Sequence, residues 1–301
     1  MTSYHEPVML RECLDALQCK KDGVYVDATF GGGGHSKAIL NALGENGRLL
    51  AFDRDEDALA NTINDSRFTL IRDNFSHMEQ QLGQLGIHQV DGILADLGVS
   101  SHQFDVAQRG FSIRFEHDLD MRMDNRESLT ALEILNNYSE KELVSIFSLY
   151  GEVRNSKSLA AAIVKKRAEH PLQGSTDLRN CIKHLMPAKD GNTWLAQIYQ
   201  ALRIEINNEL DSLRALLDQS KKLLKRGGRI AIMSYHSLED RMVKNLINTG
   251  NVDGEDHRDL YGNRVGLSFH SVSRKAIVPT TEEIDRNPRS RSAKLRVAEK
   301  I

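Results

Sequence analysis

Four consecutive glycines at residues 31–34 lie between a segment that predicts a buried strand and one that predicts a helix. Glycine lets the backbone come close to a ligand, and the first N–H groups of a helix lack intrahelical partners. Asp53 follows about 20 residues later, at the predicted end of the next strand, where a carboxylate can accept hydrogen bonds from both hydroxyls of a ribose. Together these residues predict a site for a nucleoside cofactor, although a glycine loop alone can also be only a tight turn.

The spacing in this loop departs from two common nucleotide-binding motifs. The dinucleotide motif G-x-G-x-x-G, counted from Gly31 and Gly33, needs a third glycine where the chain has Ser36. The phosphate loop of ATP-binding proteins needs Gly-Lys-Ser/Thr, and the residues around Ser36 stand in the wrong order. Asp27, just before the glycines, suits a cofactor that carries a positive charge. We therefore favour S-adenosylmethionine, with its sulfonium and ammonium groups, over NAD.

A third acidic residue, Asp96, ends the fourth predicted strand of the chain. In an open parallel sheet, ligands bind beyond the carboxyl ends of the strands, so this carboxylate is expected to face the reacting centre. The alternative is that Asp96 only caps a turn, because Asp-x-Gly is also a favourable turn sequence.

Strand and helix patterns alternate along the part of the chain that carries these acids. Such alternation predicts right-handed βαβ units and a parallel sheet. The predicted strands are 24–28, 48–52, 68–71 and 90–95, and the predicted helices between them are 36–43, 55–64 and 75–85.

The pattern becomes helical from about residue 104 to residue 199, with short helices predicted over 129–138, 140–149 and 159–168. One long helix is predicted over 195–224, ended by the glycines at 227 and 228, and a strand resumes at 229–234. A capping box from Ser237 to Asp240 predicts the next helix. The expected fold is therefore α/β, a Rossmann-like, mainly parallel doubly wound sheet formed by 1–103 and 200–301, with an inserted all-helical domain at 104–199.

Composition excludes several classes of protein. The chain has 301 residues and a net charge of −2, so a strongly basic nucleic-acid-binding tail is excluded, while a local basic patch is not. No apolar run approaches a membrane span, and the N-terminus lacks the pattern of a signal peptide. The three cysteines, at unrelated spacings, predict a reducing cytoplasm and neither a disulfide framework nor a metal site.

Motifs along nearly the whole chain resemble the bacterial 16S ribosomal RNA cytosine-N4 methyltransferases. Three departures are Gly32, where relatives often carry a larger residue, Tyr235, which replaces a phenylalanine of some relatives, and the region 254–278, which matches poorly. The matching segments are His5-x-Pro7-Val8 and residues 27–36, 51–55, 91–101, 109–112, 119–123, 150–152, 200–204, 236–241 and 287–292.

The resemblance implies a class I methyltransferase that uses S-adenosylmethionine to methylate the exocyclic N4 amine of a cytidine in the decoding region of 16S rRNA, on the small ribosomal subunit. A carboxylate can accept a hydrogen bond from that weakly nucleophilic amine, so Asp96 is the candidate catalytic residue, with service to the cofactor alone as the alternative. Phe75 would pack on the adenine, or else be a core phenylalanine, and Gln103 would contact the cofactor, or else be a solvated loop residue. The implied cofactor contacts are Gly33, Gly34, His35, Asp53, Phe75, Asp96 and Gln103.

Contact with the RNA is expected from local charge and from aromatic residues. Basic clusters at 221–229, 286–296 and 165–167 can follow phosphates, although each can also be a solvated face. Phe104, Phe111 and Tyr235 are candidates to hold the target base, with a core position as the alternative. His236 either touches the substrate or only starts the next helix. A homodimer is one expected assembly.

Other function classes stay open at this point. One is a methyltransferase of the same fold that acts on a protein or a small molecule. Another is a non-catalytic RNA-binding assembly factor that has lost its cofactor, against which the intact glycine run, Asp53 and Asp96 argue. A nicotinamide oxidoreductase is disfavoured by Ser36.

Overall fold

The computed structural model describes residues 7–301, so His5 of the first matching motif lies outside the described residues. The chain divides into two compact units. The first unit contains the chain up to Gly98 and Leu210–Ile301, and the second unit is Val99–Glu209. The predicted borders, 103/104 and 199/200, lie five and ten residues inside the ends of the second unit.

A seven-stranded sheet forms the first unit, in the order β3-β2-β1-β4-β5-β7-β6. Strands β1 to β5 are parallel, and β7 runs antiparallel to both β5 and β6. The expected α/β class I methyltransferase fold is thereby confirmed. Its strands are β1 (Val24–Asp27), β2 (Arg48–Phe52), β3 (Phe68–Ile71), β4 (Val90–Asp96), β5 (Leu224–Ser234), β6 (Phe269–Ser271) and β7 (Lys294–Lys300).

Helices cover both faces of this sheet and bury its two apolar sides. On one face, α1 and α2 pack on a core that includes Leu49, Leu94 and Met233. On the other face, α3, α10 and α11 pack on a core that includes Ile93 and Ile232. The helices of this unit are α1 (Leu10–Leu17), α2 (Gly34–Ala42), α3 (Met78–Gln84), α10 (Glu209–Leu223, which starts at the border), α11 (Ser237–Thr249) and α12 (Thr281–Arg286).

The second unit is helical and has a core of its own. Leu135, Phe147, Ile163 and Ile198 are fully buried at its centre. Trp194 also lies in this core, and its Nε1 donates a hydrogen bond to Asn155 Oδ1 at 2.8 Å. The helices are α4 (Ser101–Asp105), α5 (Ala131–Asn137), α6 (Glu140–Leu149), α7 (Ser156–Glu169), α8 (Ser175–Ile182) and α9 (Gly191–Asn207).

The prediction of one long helix over 195–224 is wrong, because the structure has two helices there, α9 and α10. Asn208 separates them with φ 47° and ψ 42°, a left-handed conformation that asparagine tolerates better than most residues. Strand β5 also begins earlier than predicted, since Leu224 already pairs with Val90. The register between β4 and β5 then shifts before Arg229, so Gly227, with φ 75°, lies in an irregularity of the strand and does not end a helix.

Smaller differences concern helix starts. The helix predicted over 55–64 is only the short 3₁₀ helix Glu56–Asn61. Helix α11 begins at Ser237 as predicted, but the expected capping box is displaced by one residue. Glu239 accepts the N–H of His236 at 3.4 Å, while Asp240 is instead paired with Arg296 at 2.6 Å. Within the described part of the chain, no helix combines the length and apolar character of a membrane span.

Candidate active site

Three carboxylates of the first unit lie at the carboxyl edge of the parallel strands. Asp27 and Asp96 are the last residues of β1 and β4. Asp53 directly follows β2, and its N–H donates to the carbonyl of Ile71 at the end of β3. Because parallel strands end at one edge, the sheet assembles these acids where open α/β sheets bind ligands.

Asp53 is held by the backbone of the glycine loop. Its Oδ2 accepts the N–H of Gly31 at 2.7 Å, and its Oδ1 accepts the N–H of Asp55 at 2.8 Å. Each oxygen therefore keeps a lone pair for one further donor, such as a ribose hydroxyl. Burial raises the pKa of Asp53 to about 6, although these two backbone hydrogen bonds oppose the rise.

The four glycines of the loop have two different surroundings. A Cβ on Gly33 would lie 2.9 Å from the ring of Phe30, and a Cβ on Gly34 would collide with the ring of Pro7. A Cβ on Gly31 or Gly32 would meet no atom of residues 7–301 within 4 Å. Gly33 and Gly34 are thus required by packing within the chain, while the outer side of Gly31 and Gly32 leaves room for a ligand to approach the backbone.

His35 is the second residue of α2 and is buried between the loop and β4. Its Nε2 lies 3.1 Å from the carbonyl oxygen of Val8, so Nε2 carries the proton that makes this hydrogen bond. Its Nδ1 then faces Asp96 Oδ2 at 4.0 Å. The ring positions the start of α2 against Asp96 without blocking that carboxylate.

Asp27 is enclosed by the chain and is only 1% exposed. It accepts the hydroxyl of Ser36 at 2.7 Å and the N–H of Thr29 at 3.1 Å. Ser36 thus fills the place of the third glycine of a dinucleotide motif with a side chain that bonds to the sheet. Burial raises the pKa of Asp27, and its direct partners are residues of its own loop.

Asp96 is partly exposed at this edge, with a side chain 24% accessible to solvent. Its Oδ1 accepts the hydroxyl of Tyr235 at 2.8 Å, and its N–H donates to Thr29 Oγ1 at 2.7 Å. Oδ2 has no hydrogen bond to any described residue. Burial raises the pKa of Asp96 to about 6, while His35 and the bond from Tyr235 lower it. The carboxylate is therefore fixed through one oxygen and available through the other.

Five predicted cofactor contacts, Gly33, Gly34, His35, Asp53 and Asp96, are brought together at this edge. Phe75 follows β3 in a short 3₁₀ helix and is partly buried against the sheet core.

Gln103 belongs to the second unit and is 4% exposed, so the alternative of a solvated loop residue is wrong. Its Oε1 accepts the N–H of Ser100 at 3.0 Å, which makes it part of the cap of α4.

The aromatic candidates for the target base have clear structural roles. Phe111 lies in the core of the helical unit at 4% exposure, and Phe104 is partly buried against the same core. Tyr235 is engaged with Asp96. His236 precedes α11, and its Nε2 lies 3.2 Å from Glu239 Oε1, which fits the start of a helix.

Two of the basic clusters are largely paired within the chain. In the cluster 221–229, four cations form ion pairs at 2.6–3.1 Å, which favours the alternative of a solvated face. In the cluster 165–167, Arg167 donates to the backbone carbonyls of Leu135 and Tyr138. The four pairs of the first cluster are Lys221–Asp218, Lys222–Glu79, Lys225–Asp91 and Arg229–Glu299.

Three residues that support the site were missed from the sequence. Thr29 and Ser36 bond to Asp96 and Asp27, and Glu239 accepts the N–H of Tyr235 at 2.9 Å. Thr29 and Ser36 lie within the glycine motif, whose polar positions were the available signal. Glu239 lies in the predicted capping box and in the matching segment 236–241, but neither signal indicated a contact with Tyr235.

Comparison with known proteins identifies the family of this chain. The model of the MraW methylase family matches residues 2–301. This chain belongs to that family. It is 54% identical to "Ribosomal RNA small subunit methyltransferase H" of Flavobacterium johnsoniae over 298 residues, 99% of this chain and 98% of that protein. It is 52% identical to the protein of the same name from Bacteroides fragilis over 299 residues, with 99% and 98% covered.

Membership in the family confirms the resemblance inferred from the motifs. The protein is a methyltransferase, and its cofactor is S-adenosylmethionine. The residues at the edge fit this cofactor, since Asp53 offers two acceptor lone pairs and the Gly31 and Gly32 backbone is open to a ligand. The individual cofactor contacts stay predictions, as do Asp96 as the catalytic residue and the boundaries of the domains.

Proposed function

We propose that the protein transfers a methyl group to the exocyclic N4 amine of one cytidine in the decoding region of 16S rRNA, on the small ribosomal subunit. Its relatives are named as methyltransferases of small-subunit ribosomal RNA. The observation that carries the chemistry is Asp96, a partly exposed carboxylate with one oxygen fixed and the other available.

The amine of cytosine is a weak nucleophile because its lone pair is delocalised into the ring. When bound, S-adenosylmethionine supplies an electrophilic methyl group on a sulfonium. Asp96 Oδ2 accepts an N–H of the amine, which strengthens the nitrogen as a nucleophile and stabilises the positive charge that grows on it. Asp96 would then take the proton that the amine releases once it has received the methyl group.

The residues around Asp96 prepare it for this role. Tyr235 fixes Oδ1 at 2.8 Å, and Thr29 holds the backbone N–H, so the carboxylate loses little freedom when the amine arrives. The target base must leave its stack to reach this edge. We assign recognition of the surrounding RNA to the helical domain predicted at 104–199. A cytoplasmic location and a homodimer belong to the same proposal.

The test is methyl transfer with labelled S-adenosylmethionine to small ribosomal subunits and to naked 16S rRNA, both from a strain that lacks this protein. We expect label on one cytidine as N4-methylcytidine, and none with Asp96→Ala. Asp65→Ala, which removes a surface carboxylate paired with Arg67, is the matched control and should methylate normally. Cofactor binding without transfer to either RNA would contradict the proposal and favour a protein or small-molecule substrate.

A further inference from the structure

A small basic cavity lies in the first unit, on the face of the sheet that α11 covers. Its volume is about 60 Å³, far below the roughly 300–1,000 Å³ of pockets that take a whole small molecule. Four cationic side chains line it, Lys244 from α11, Arg274 and Lys275 from the loop after β6, and Arg296 from β7. No carboxylate of the described chain is among its lining residues. The cavity therefore suits a single anionic group.

The loop that carries two of these cations is held in place by hydrogen bonds. Val272 donates its N–H to the carbonyl of Val297 at 3.0 Å, and Ile277 exchanges two backbone bonds with Leu295 at 2.9 Å. Between these anchors, the hydroxyl of Ser273 donates to the carbonyl of Lys275 at 2.8 Å. The loop thus arches over β7 at Arg296, so Arg274 and Lys275 are presented from a fixed backbone.

The cations of the cavity differ from those of the cluster 221–229. Lys244, Arg274 and Lys275 form no ion pair with any residue in the described part of the chain, whereas four cations of the cluster do. Arg296 is paired with Asp240 at 2.6 Å, which anchors its guanidinium against α11. Three cations without ion pairs to described residues around one small cavity create a locally positive potential, which favours the binding of an external anion.

The register of the sheet relates this cavity to the candidate active site. Asp96 pairs with Met233 of β5, and Met233 pairs with Leu295 of β7, whose next residue is Arg296. Two strand spacings of about 4.8 Å place the backbone of β7 about 10 Å from that of Asp96. An RNA strand that places its target base at Asp96 can therefore run with its neighbouring phosphates over the carboxyl edge of the sheet toward α11.

We propose that this cavity binds a phosphodiester of the RNA strand that carries the target base; the inference rests on the proposed function. Phosphate contacts fix register without reading sequence, so the cavity sets where along the strand the base is presented. This gives a role to part of the region 254–278, which the motifs of the family did not explain.

The test compares two double variants that each remove two positive charges. Arg274→Gln with Lys275→Gln alters the cavity, and Lys221→Gln with Lys222→Gln alters the paired cluster. Binding to small ribosomal subunits is measured over a range of KCl concentrations, with cofactor affinity as the check on folding. We expect the cavity variant to lose about 1 unit of the salt slope per residue and to bind about tenfold more weakly, with unchanged cofactor affinity. The cluster variant should match the unaltered protein.

Equal slopes for the two variants and the unaltered protein would overturn the cavity proposal. The proposal would also be overturned if the cavity variant bound inorganic phosphate more weakly than the unaltered protein but bound subunits equally well. The ligand of the cavity would then be free phosphate and not the RNA. These outcomes are distinct from failure of the proposed function, which shows as absent methyl transfer by the unaltered protein. A reduced salt slope of the cavity variant, together with absent methyl transfer by the unaltered protein, would support the cavity as an RNA contact and contradict the methylation of 16S rRNA.

Discussion

The two ends of the candidate active site are built in different ways. At the β1–β2 end, Asp53 accepts the N–H of Gly31, 22 residues away, in a loop that is closely packed at Gly33 and Gly34. At the β4–β5 end, Asp96 is fixed by the hydroxyl of Tyr235, 139 residues away. The first end uses backbone groups suited to holding a cofactor, and the second uses side chains suited to chemistry. Binding and reaction should therefore respond to different substitutions.

The largest effect is expected at Asp96. Asp96→Asn keeps the size of the side chain but removes the carboxylate that accepts the amine N–H and its proton. The single-turnover rate of methyl transfer should fall about 10²- to 10⁴-fold. Cofactor affinity, measured by calorimetry, should change by far less. A comparable loss in both quantities would show that Asp96 serves mainly the cofactor and would remove the contrast between the two ends.

Asp53 is expected to show the reverse pattern. Asp53→Ala removes an acceptor for two ribose hydroxyls, and hydrogen bonds to charged groups contribute about 1.5–3 kcal/mol each. Cofactor affinity should fall roughly 10²- to 10⁴-fold, since about 1.4 kcal/mol corresponds to a factor of ten. The rate at saturating cofactor should stay within a few-fold of normal. A large loss of that rate would place Asp53 in the chemistry.

Both carboxylates have a pKa of about 6, so the pH dependence of the rate and that of cofactor affinity are measured separately to test Asp96 and Asp53. Burial raises each pKa, so each group gains a proton as the pH falls through 6. At saturating cofactor, the rate should drop about tenfold per pH unit below 6 as Asp96 is protonated, and should be level above about pH 7. Cofactor affinity should weaken over the same range through Asp53.

Tyr235→Phe tests the assignment of the rate profile to Asp96. Because the hydroxyl of Tyr235 lowers the pKa of Asp96, its loss should move the acidic limb of the rate to higher pH. The pH at which cofactor affinity weakens should not change, because the hydrogen-bond partners of Asp53 described above do not include Tyr235. An unmoved rate limb would assign it to a group other than Asp96.

The smallest effect concerns the loop glycines and is a matter of stability. Gly34→Ala places a methyl against Pro7 and should destabilise the protein by about 1–3 kcal/mol. Gly32→Ala adds the same methyl where the described chain has no atom within 4 Å, so its effect should stay within about 0.5 kcal/mol. Thermal denaturation of both variants measures the difference, and equal melting temperatures would contradict the packing role of Gly34.

Much of the fold was accessible from local pattern. All four early strands were predicted to within a residue or two, because buried parallel strands read as continuous apolar runs bounded by turns. The break at Asn208 was not predicted, since the apolar period continues through α9 and α10 and only one backbone conformation interrupts it. The early start of β5 was missed for a similar reason, because pairing with Val90 outweighs the two glycines.

The sequence by itself determined the glycine loop, the three strand-end acids and, through its motifs, the family. These features are local, because a strand, a glycine turn and a helix start are each specified within a few residues. Only the tertiary structure decided that Asp27 faces inward and that Tyr235 fixes Asp96. It also decided that most cations of the cluster 221–229 form ion pairs, while three of the four cations that line the cavity form none with residues 7–301. The bond from Tyr235 to Asp96 and three of the four ion pairs join residues far apart in the chain, where the register of the sheet and the packing of helices set the distances.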